Sequence, residues 1–145
     1  MFHGEYVTRH TRGFSDVHDL TNDIQAIVER AGVGEGSVTV FAVGSTASIT
    51  TLEFEPALVR DLAEALEQLW PRTMRSHHSQ TWGDDNGFSH LRASILGPSV
   101  VVPVHGGEIV LGTWQQIVLV DHDNRPRERR IFVQVAGDAQ TPGAV

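Results

Sequence analysis

Two periods of apolar residues divide the chain. Ile24, Ile27, Val28 and Ala31 fall on one face of a helix. Thr21 or Asp19 suits its start, and Gly32 and Gly34 follow its end. Leu58, Leu62, Ala65, Leu66 and Leu69 form a second helical stripe, with Pro56 in the first turn and Pro71 as a stop. Most of the remainder reads as strands. Ser37–Val43 and Ser99–Val104 are rich in Val, and Pro103 marks a sheet edge or a strand end. Thr113–Asp121 begins polar and turns apolar on both faces, as a strand entering a core does. Arg130–Ala136 sets Ile131, Val133 and Val135 on one side, Glu5–Thr8 is a weaker candidate, and His105–Gly107 suits a hairpin turn. Many strands with two helices predict an α+β domain of antiparallel sheets packed by helices.

At 145 residues, 40% of them hydrophobic, the chain suits a single domain over 1–145, with a frayed tail over 139–145. A large active site on so short a chain is expected to use a subunit boundary. The absence of cysteine excludes disulfides and thiol nucleophiles. All 11 basic residues are arginine, which excludes Schiff-base chemistry and a P-loop lysine. A net charge of −7 argues against nucleic-acid binding. No apolar run is long enough to span a membrane and no leader pattern opens the chain, so a cytoplasmic location without membrane attachment is expected.

Four polar stretches carry candidate chemistry. Residues 77–94, HHSQTWGDDNGFSHLRAS, hold three histidines and two adjacent aspartates. Read as a loop leading into a strand, they would bring His78, His90, Asp84 and Asp85 together as ligands for a divalent metal: zinc, magnesium or manganese. A solvated loop with freely titrating histidines fits as well. Gly44-Ser45-Thr46 offers backbone N–H groups and hydroxyls to an anion, or is simply a tight turn. Glu53 and Glu55 precede the second helix and favour its positive end. In LGTWQQ, residues 111–116, Trp114 suits the core and Gln115 or Gln116 a ligand hydrogen bond. NRPRERR, residues 124–130, is either an oxyanion clamp or a turn offset by Asp121, Asp123 and Glu128.

The strings GSTASITTLEFEP, DDNGFSHLRASILGPS and VPVHGGEIVLGTWQQIVLVDHDNRPR, in that order, resemble the YjbQ-like family, also called the secondary thiamine-phosphate synthase family. The resemblance runs from about Gly13 to Gly137. It implies an antiparallel β-sandwich, a homotrimer, and a histidine-based metal-type site near a subunit boundary. His78 and His90 match two family histidines, Asp84 and Asp85 the acidic pair, and Glu53 the glutamate before the second helix. The third family histidine is replaced by Gly44.

The activity implied is thiamine phosphate formation, in which a thiazole phosphate displaces pyrophosphate from a pyrimidine methyl diphosphate. Glu53, His78, His90 and Arg92 are the expected catalytic group, with Arg92 reaching the diphosphate and Gly44, Ser45, Thr46 and Gln115 binding ligand. Two alternatives remain: a metal-dependent hydrolase with Glu53 as base, and a non-catalytic trimer that binds a small anionic metabolite.

Overall fold

Alternation at Val38, Val40 and Ala42, and at Ile131, Val133 and Val135, turns one face of each strand into the core. The computed structural model describes residues 1–142. In chain order it contains β1 (Phe2–Thr11), β2 (Asp16–Asp19), α1 (Thr21–Ala31), β3 (Val33–Ala42), β4 (Ala47–Leu52), α2 (Pro56–Leu69), α3 (His77–Trp82), α4 (Gly87–Leu96), β5 (Ser99–His105), β6 (Glu108–Ile109), β7 (Gln116–Asp121) and β8 (Arg127–Ala139). A five-stranded sheet of order β1-β8-β3-β5-β6 and a three-stranded sheet of order β2-β7-β4 are antiparallel throughout.

The inner faces of both sheets close on α1, whose Ile24, Ile27 and Val28 join Ile49, Leu119 and Val133 in one apolar core. Val118 and Val120 point the other way on β7 and are also fully buried. That short strand is therefore covered on both faces, as its unbroken apolar run implies. Gly32 ends α1 in a left-handed conformation, φ 69°. The β5–β6 hairpin turns on Gly106 and Gly107, φ 58° and 81°, where a Cβ would be strained.

The α+β class and the antiparallel sheets agree with the sequence reading, but the helices number four rather than two among the described residues. Residues 77–94 are not a loop running into a strand; they fold into α3 and most of α4. The apolar period is hidden because α4 buries Ser89 and Arg92 beside Phe88 and Ala93. β2 and β4 also go unread: β2 is only four residues long, and β4 buries Ala47, Ser48 and Ile49 in succession without alternation. The α2 stripe is amphipathic as expected, yet only Leu66 is buried and Leu69 is 64% exposed. Of the tail expected to fray, Ala139 closes β8 and the Gln140 N–H donates to the Gly32 carbonyl at 2.7 Å. Residues 143–145 lie outside the described residues.

The chain passes from the large sheet to the small one through Gly13, Phe14 and Ser15, all left-handed at φ 81°, 53° and 64°. The N–H groups of Phe14 and Ser15 donate to the carbonyls of Asp123 and Asp121, both at 2.8 Å. This corner pins the main chain that follows β7, on which the candidate site rests.

Candidate functional site

Ser76 caps α3 by accepting the Ser79 N–H at 3.3 Å, and Gly83 ends the helix at φ 70°. A turn through Asp84, Asp85 and Asn86 then starts α4. Gly87 makes the close approach of the two helices possible: a Cβ there would stand 1.9 Å from Ser76 Oγ and 2.5 Å from Ser76 Cβ. The result is a pair of imidazoles, His78 from α3 and His90 from α4, with ring centroids 4.4 Å apart and planes tilted by 46°. His77 is exposed, so of the two adjacent histidines it is His78 that turns inward.

His78 Nδ1 lies 3.3 Å from Asp84 Oδ1 but is not aligned for a hydrogen bond, so this buried nitrogen has no partner among the described residues. Burial first, and then the charge of His78, lower the His90 pKa against the opposing pull of Asp123 and Asp84. His90 is therefore neutral at pH 7, able to accept a proton at one nitrogen and donate at the other. Asp85 sits on an exposed turn at φ 55°, and its side chain makes no hydrogen bond or ion pair among the described residues.

Beneath the histidines lies a buried lattice that neither of the two sequence readings of 124–130 described. Asp121 and Asp123 are 0% exposed. Asp121 accepts from Arg129 Nε at 2.6 Å and Nη2 at 3.0 Å, and from the Thr11 hydroxyl. Asp123 accepts from Arg127 Nε at 2.8 Å and Thr46 Oγ1 at 3.0 Å. Burial would raise the Asp123 carboxyl; the Asn124 N–H, Thr46, Arg127 and Asn86 outweigh it and hold the pKa below the ordinary value. Arg129 Nη2 also donates to Thr46 Oγ1 at 2.6 Å. The arginines of this stretch are thus paired with the expected acids Asp121 and Asp123, but inside the protein rather than in a solvated turn. A legible signal existed: Asp-x-Asp shortly before Arg-x-Arg places each pair on a shared face if the backbone is extended.

The other expected site residues go to different places. Gly44 and Ser45 share with His90 a pocket of about 220 Å³, closed by Ala47, Ala93, Ser94 and Pro98. Thr46 is buried in the lattice below. The Arg92 guanidinium is turned away: Nε donates to the Trp70 carbonyl at 3.0 Å, and Nη2 to that carbonyl and to Glu67 Oε2, both at 2.8 Å. Arg92 therefore ties α4 to the end of α2, with its charge over the Phe88 ring. Two positions after His90, it occupies nearly the opposite helix face.

Glu53 borders a separate depression with Trp114 and Gln116, and Gln115 donates to Thr51 Oγ1 at 3.3 Å near β5. Neither shares the histidine pocket. Trp114, expected in the core, is 73% exposed. Glu55, by contrast, accepts the Ala57 and Leu58 N–H groups at 2.9 Å, capping α2 as expected.

As a metal centre the donor set is incomplete. Two imidazoles are too few for a zinc site, and no group of three His, Cys, Asp or Glu side chains able to hold a metal forms among the described residues. The described residues of one chain do not by themselves complete a ligand set for the divalent ion expected from the sequence.

Fold and site together define a small α+β protein with a His78–His90 pair beside a buried Asp–Arg lattice. Residues 5–138 match the family described as UPF0047 protein YjbQ-like, and the chain belongs to that family. It is 35% identical over 137 residues to a UPF0047 protein of Synechocystis, covering 94% of this chain and 92% of that protein. It is 40% identical over 119 residues to one from Methanothermobacter thermautotrophicus, covering 82% and 81%. Among solved structures, a YbjQ-like protein of unknown function from Sulfolobus solfataricus superposes with a TM-score of 0.84 at 31% identity, over 95% of this chain and all of that one. A hypothetical protein from Aeropyrum pernix gives 0.87 at 32% identity, over 94% and 99%. No helix of the described residues is long and apolar enough to cross a membrane.

Proposed function

We propose that the protein is a group-transfer enzyme of the thiamine-phosphate synthase type, acting on small phosphorylated metabolites in the cytoplasm. The observation that carries this reading is the His78–His90 pair, 4.4 Å apart, close to buried Asp123 and its partner Arg127. In the reaction the thiazole nitrogen attacks the pyrimidine methylene carbon with its lone pair. The N–C bond forms as the C–O bond breaks, and pyrophosphate leaves with the electron pair. The attacking nitrogen carries no proton, so no general base is needed. What the site must supply is compensation for the charge on the leaving group. His90, neutral at pH 7, can donate an N–H bond to it. Because Asp121 and Asp123 offset the charges of Arg129 and Arg127, further compensation must come from N–H donors not spent on those carboxylates. No step is assigned to a metal, because one chain does not assemble the ligands.

The working form in this reading is a homotrimer. The outer face of the five-stranded sheet carries Phe2, Tyr6, Phe41 and Val101 at 76%, 53%, 41% and 64% exposure, beside Phe132. Exposed apolar side chains gathered on one sheet face in this way mark an interface, with Arg130 stacked on Tyr6 at its rim.

The test is pyrophosphate release from pyrimidine methyl diphosphate plus thiazole phosphate, wild type against His90→Ala. Release by the wild type alone supports the reading. Equal release overturns it, and phosphate binding without turnover favours a non-catalytic anion-binding trimer.

A further inference from the structure

We infer that the pocket beside Gly44 is a metal-free oxyanion subsite in which the unpartnered Nη1 of Arg129 supplies N–H donors past Gly44 and His90 the facing hydrogen bond. This rests on the reading above and names what the site holds directly: the terminal phosphate of a substrate.

The argument starts with the guanidinium. Arg129 is 8% exposed, and Nε and Nη2 are spent on Asp121 and Thr46. Those bonds fix its plane. Nη1 makes no hydrogen bond to any described residue, so its two N–H groups are left over. They point toward Gly44: a Cβ built on that residue would stand 3.0 Å from Nη1, with nothing else within 4 Å. Any larger side chain at this position would cover the free edge of the arginine. Glycine leaves it uncovered.

The pocket over Gly44 is the one that His90 enters, and its remaining lining, Ser45, Ala47, Ala93, Ser94 and Pro98, contains no carboxylate; Arg129 does not itself line it, and its Nη1 lies behind Gly44, the residue the two share. Its volume of about 220 Å³ admits a phosphate but not a whole dinucleotide. A planar guanidinium edge, held rigid by its other bonds, loses little freedom when it binds an oxyanion. The same positive edge disfavours a cation at this spot, in keeping with the absence of a third metal ligand.

The experiment is titration of inorganic phosphate into the full chain, by calorimetry and by thermal shift, for wild type, Gly44→Ala and Gly44→Val. Gly44 has no left-handed φ, so both substitutions suit the backbone. Melting without phosphate reports whether each variant folds. Wild type is expected to bind phosphate, with affinity falling about tenfold in Gly44→Ala and further in Gly44→Val, the scale of one lost charge-assisted bond. Chelator leaves the wild-type affinity unchanged. Equal phosphate binding by all three proteins, no binding by wild type, or binding that appears only with added zinc overturns the inference. Phosphate binding is read without turnover, so its failure is distinct from an absence of pyrophosphate release.

Discussion

Ser48 Oγ and His122 Nε2 meet at 2.8 Å, both residues wholly buried, while His122 Nδ1 has no partner among the described residues. Burial first, and then the charge of Arg92, push the His122 pKa down to about 4. The imidazole is therefore neutral in the folded protein at pH 7. An unfolded chain would bind a proton there below its ordinary value near 6.5.

The sign of the resulting pH dependence is fixed. Between the two pKa values the unfolded state takes up a proton that the folded state refuses. Stability from this group is fully present above about pH 6.5 and is lost as pH falls toward 4. The span corresponds to about 3 kcal/mol. Urea denaturation of wild type and His122→Gln across this range should show the wild type losing that much more stability on acidification. Parallel curves would mean that His122 is not the titrating group.

Arg92 offers the opposite lesson to the one its sequence context suggests. Its donors end on Glu67 and the Trp70 carbonyl, so it should matter for stability rather than ligand binding. Arg92→Met is expected to cost about 3 kcal/mol, since it leaves the Trp70 carbonyl without its donor and takes from Glu67 one of its two arginines. Phosphate affinity of the folded fraction should be unchanged. Denaturation and phosphate titration on the same sample separate the two roles.

The histidine pair should be visible in its titration. His78 contributes positive charge that lowers the His90 pKa, second to burial. His78→Gln should therefore shift the His90 midpoint upward, while wild-type His90 titrates below 6.5. Ring C–H resonances across pH 4–8 provide the measurement. An unmoved midpoint would show that the rings do not interact in solution.

Much of the fold was legible because apolar spacing survives where one face of an element is buried. Ile24, Ile27 and Val28 gave α1, and Ile131, Val133 and Val135 gave the middle of β8. The site was harder to read. His78 and His90 were both named from the sequence, but the α3–α4 apposition that joins them depends on Gly87, whose importance lies in a Cβ it lacks. Arg92 and Arg129 are both buried arginines, yet one braces α4 and the other lies behind Gly44. Strand and helix directions decide between them, and local sequence does not carry that information. Asp121 and Asp123 looked like solvent counter-ions because charged residues are seldom buried; here paired guanidiniums make burial tolerable.

Gly87 allows the site assembly to be tested directly. Gly87→Ala places a methyl group against Ser76 Oγ and Cβ at distances no packed atom tolerates, so α3 must move away from α4. A cost of about 1–3 kcal/mol is expected. Ser76→Gly opens the space and should restore part of the loss in the double variant. Additive destabilisation would place the clash elsewhere.

The last prediction concerns the uncovered sheet. Tyr6 pairs across the strands with Phe132, which pairs in turn with Phe41, so three aromatic rings stand in one row on the outer face. Tyr6 and Phe132 meet edge to face with centroids 4.9 Å apart. The inner face of the same strands holds Val7, Ile131 and Val40, so a change on the outer row need not disturb the core. Phe41→Asp puts a charge at one end of the row and leaves Val40 and Ala42 in place. If this face joins subunits, sedimentation should show wild type as a trimer and Phe41→Asp as monomer with unchanged far-ultraviolet dichroism. Glu128 is a suitable control: it is exposed, and its side chain makes no hydrogen bond or ion pair among the described residues. Glu128→Gln should leave the trimer intact. A wild type that sediments as monomer, or a Phe41→Asp variant that stays trimeric, would assign the apolar row to another partner and remove the subunit boundary from the account of the site.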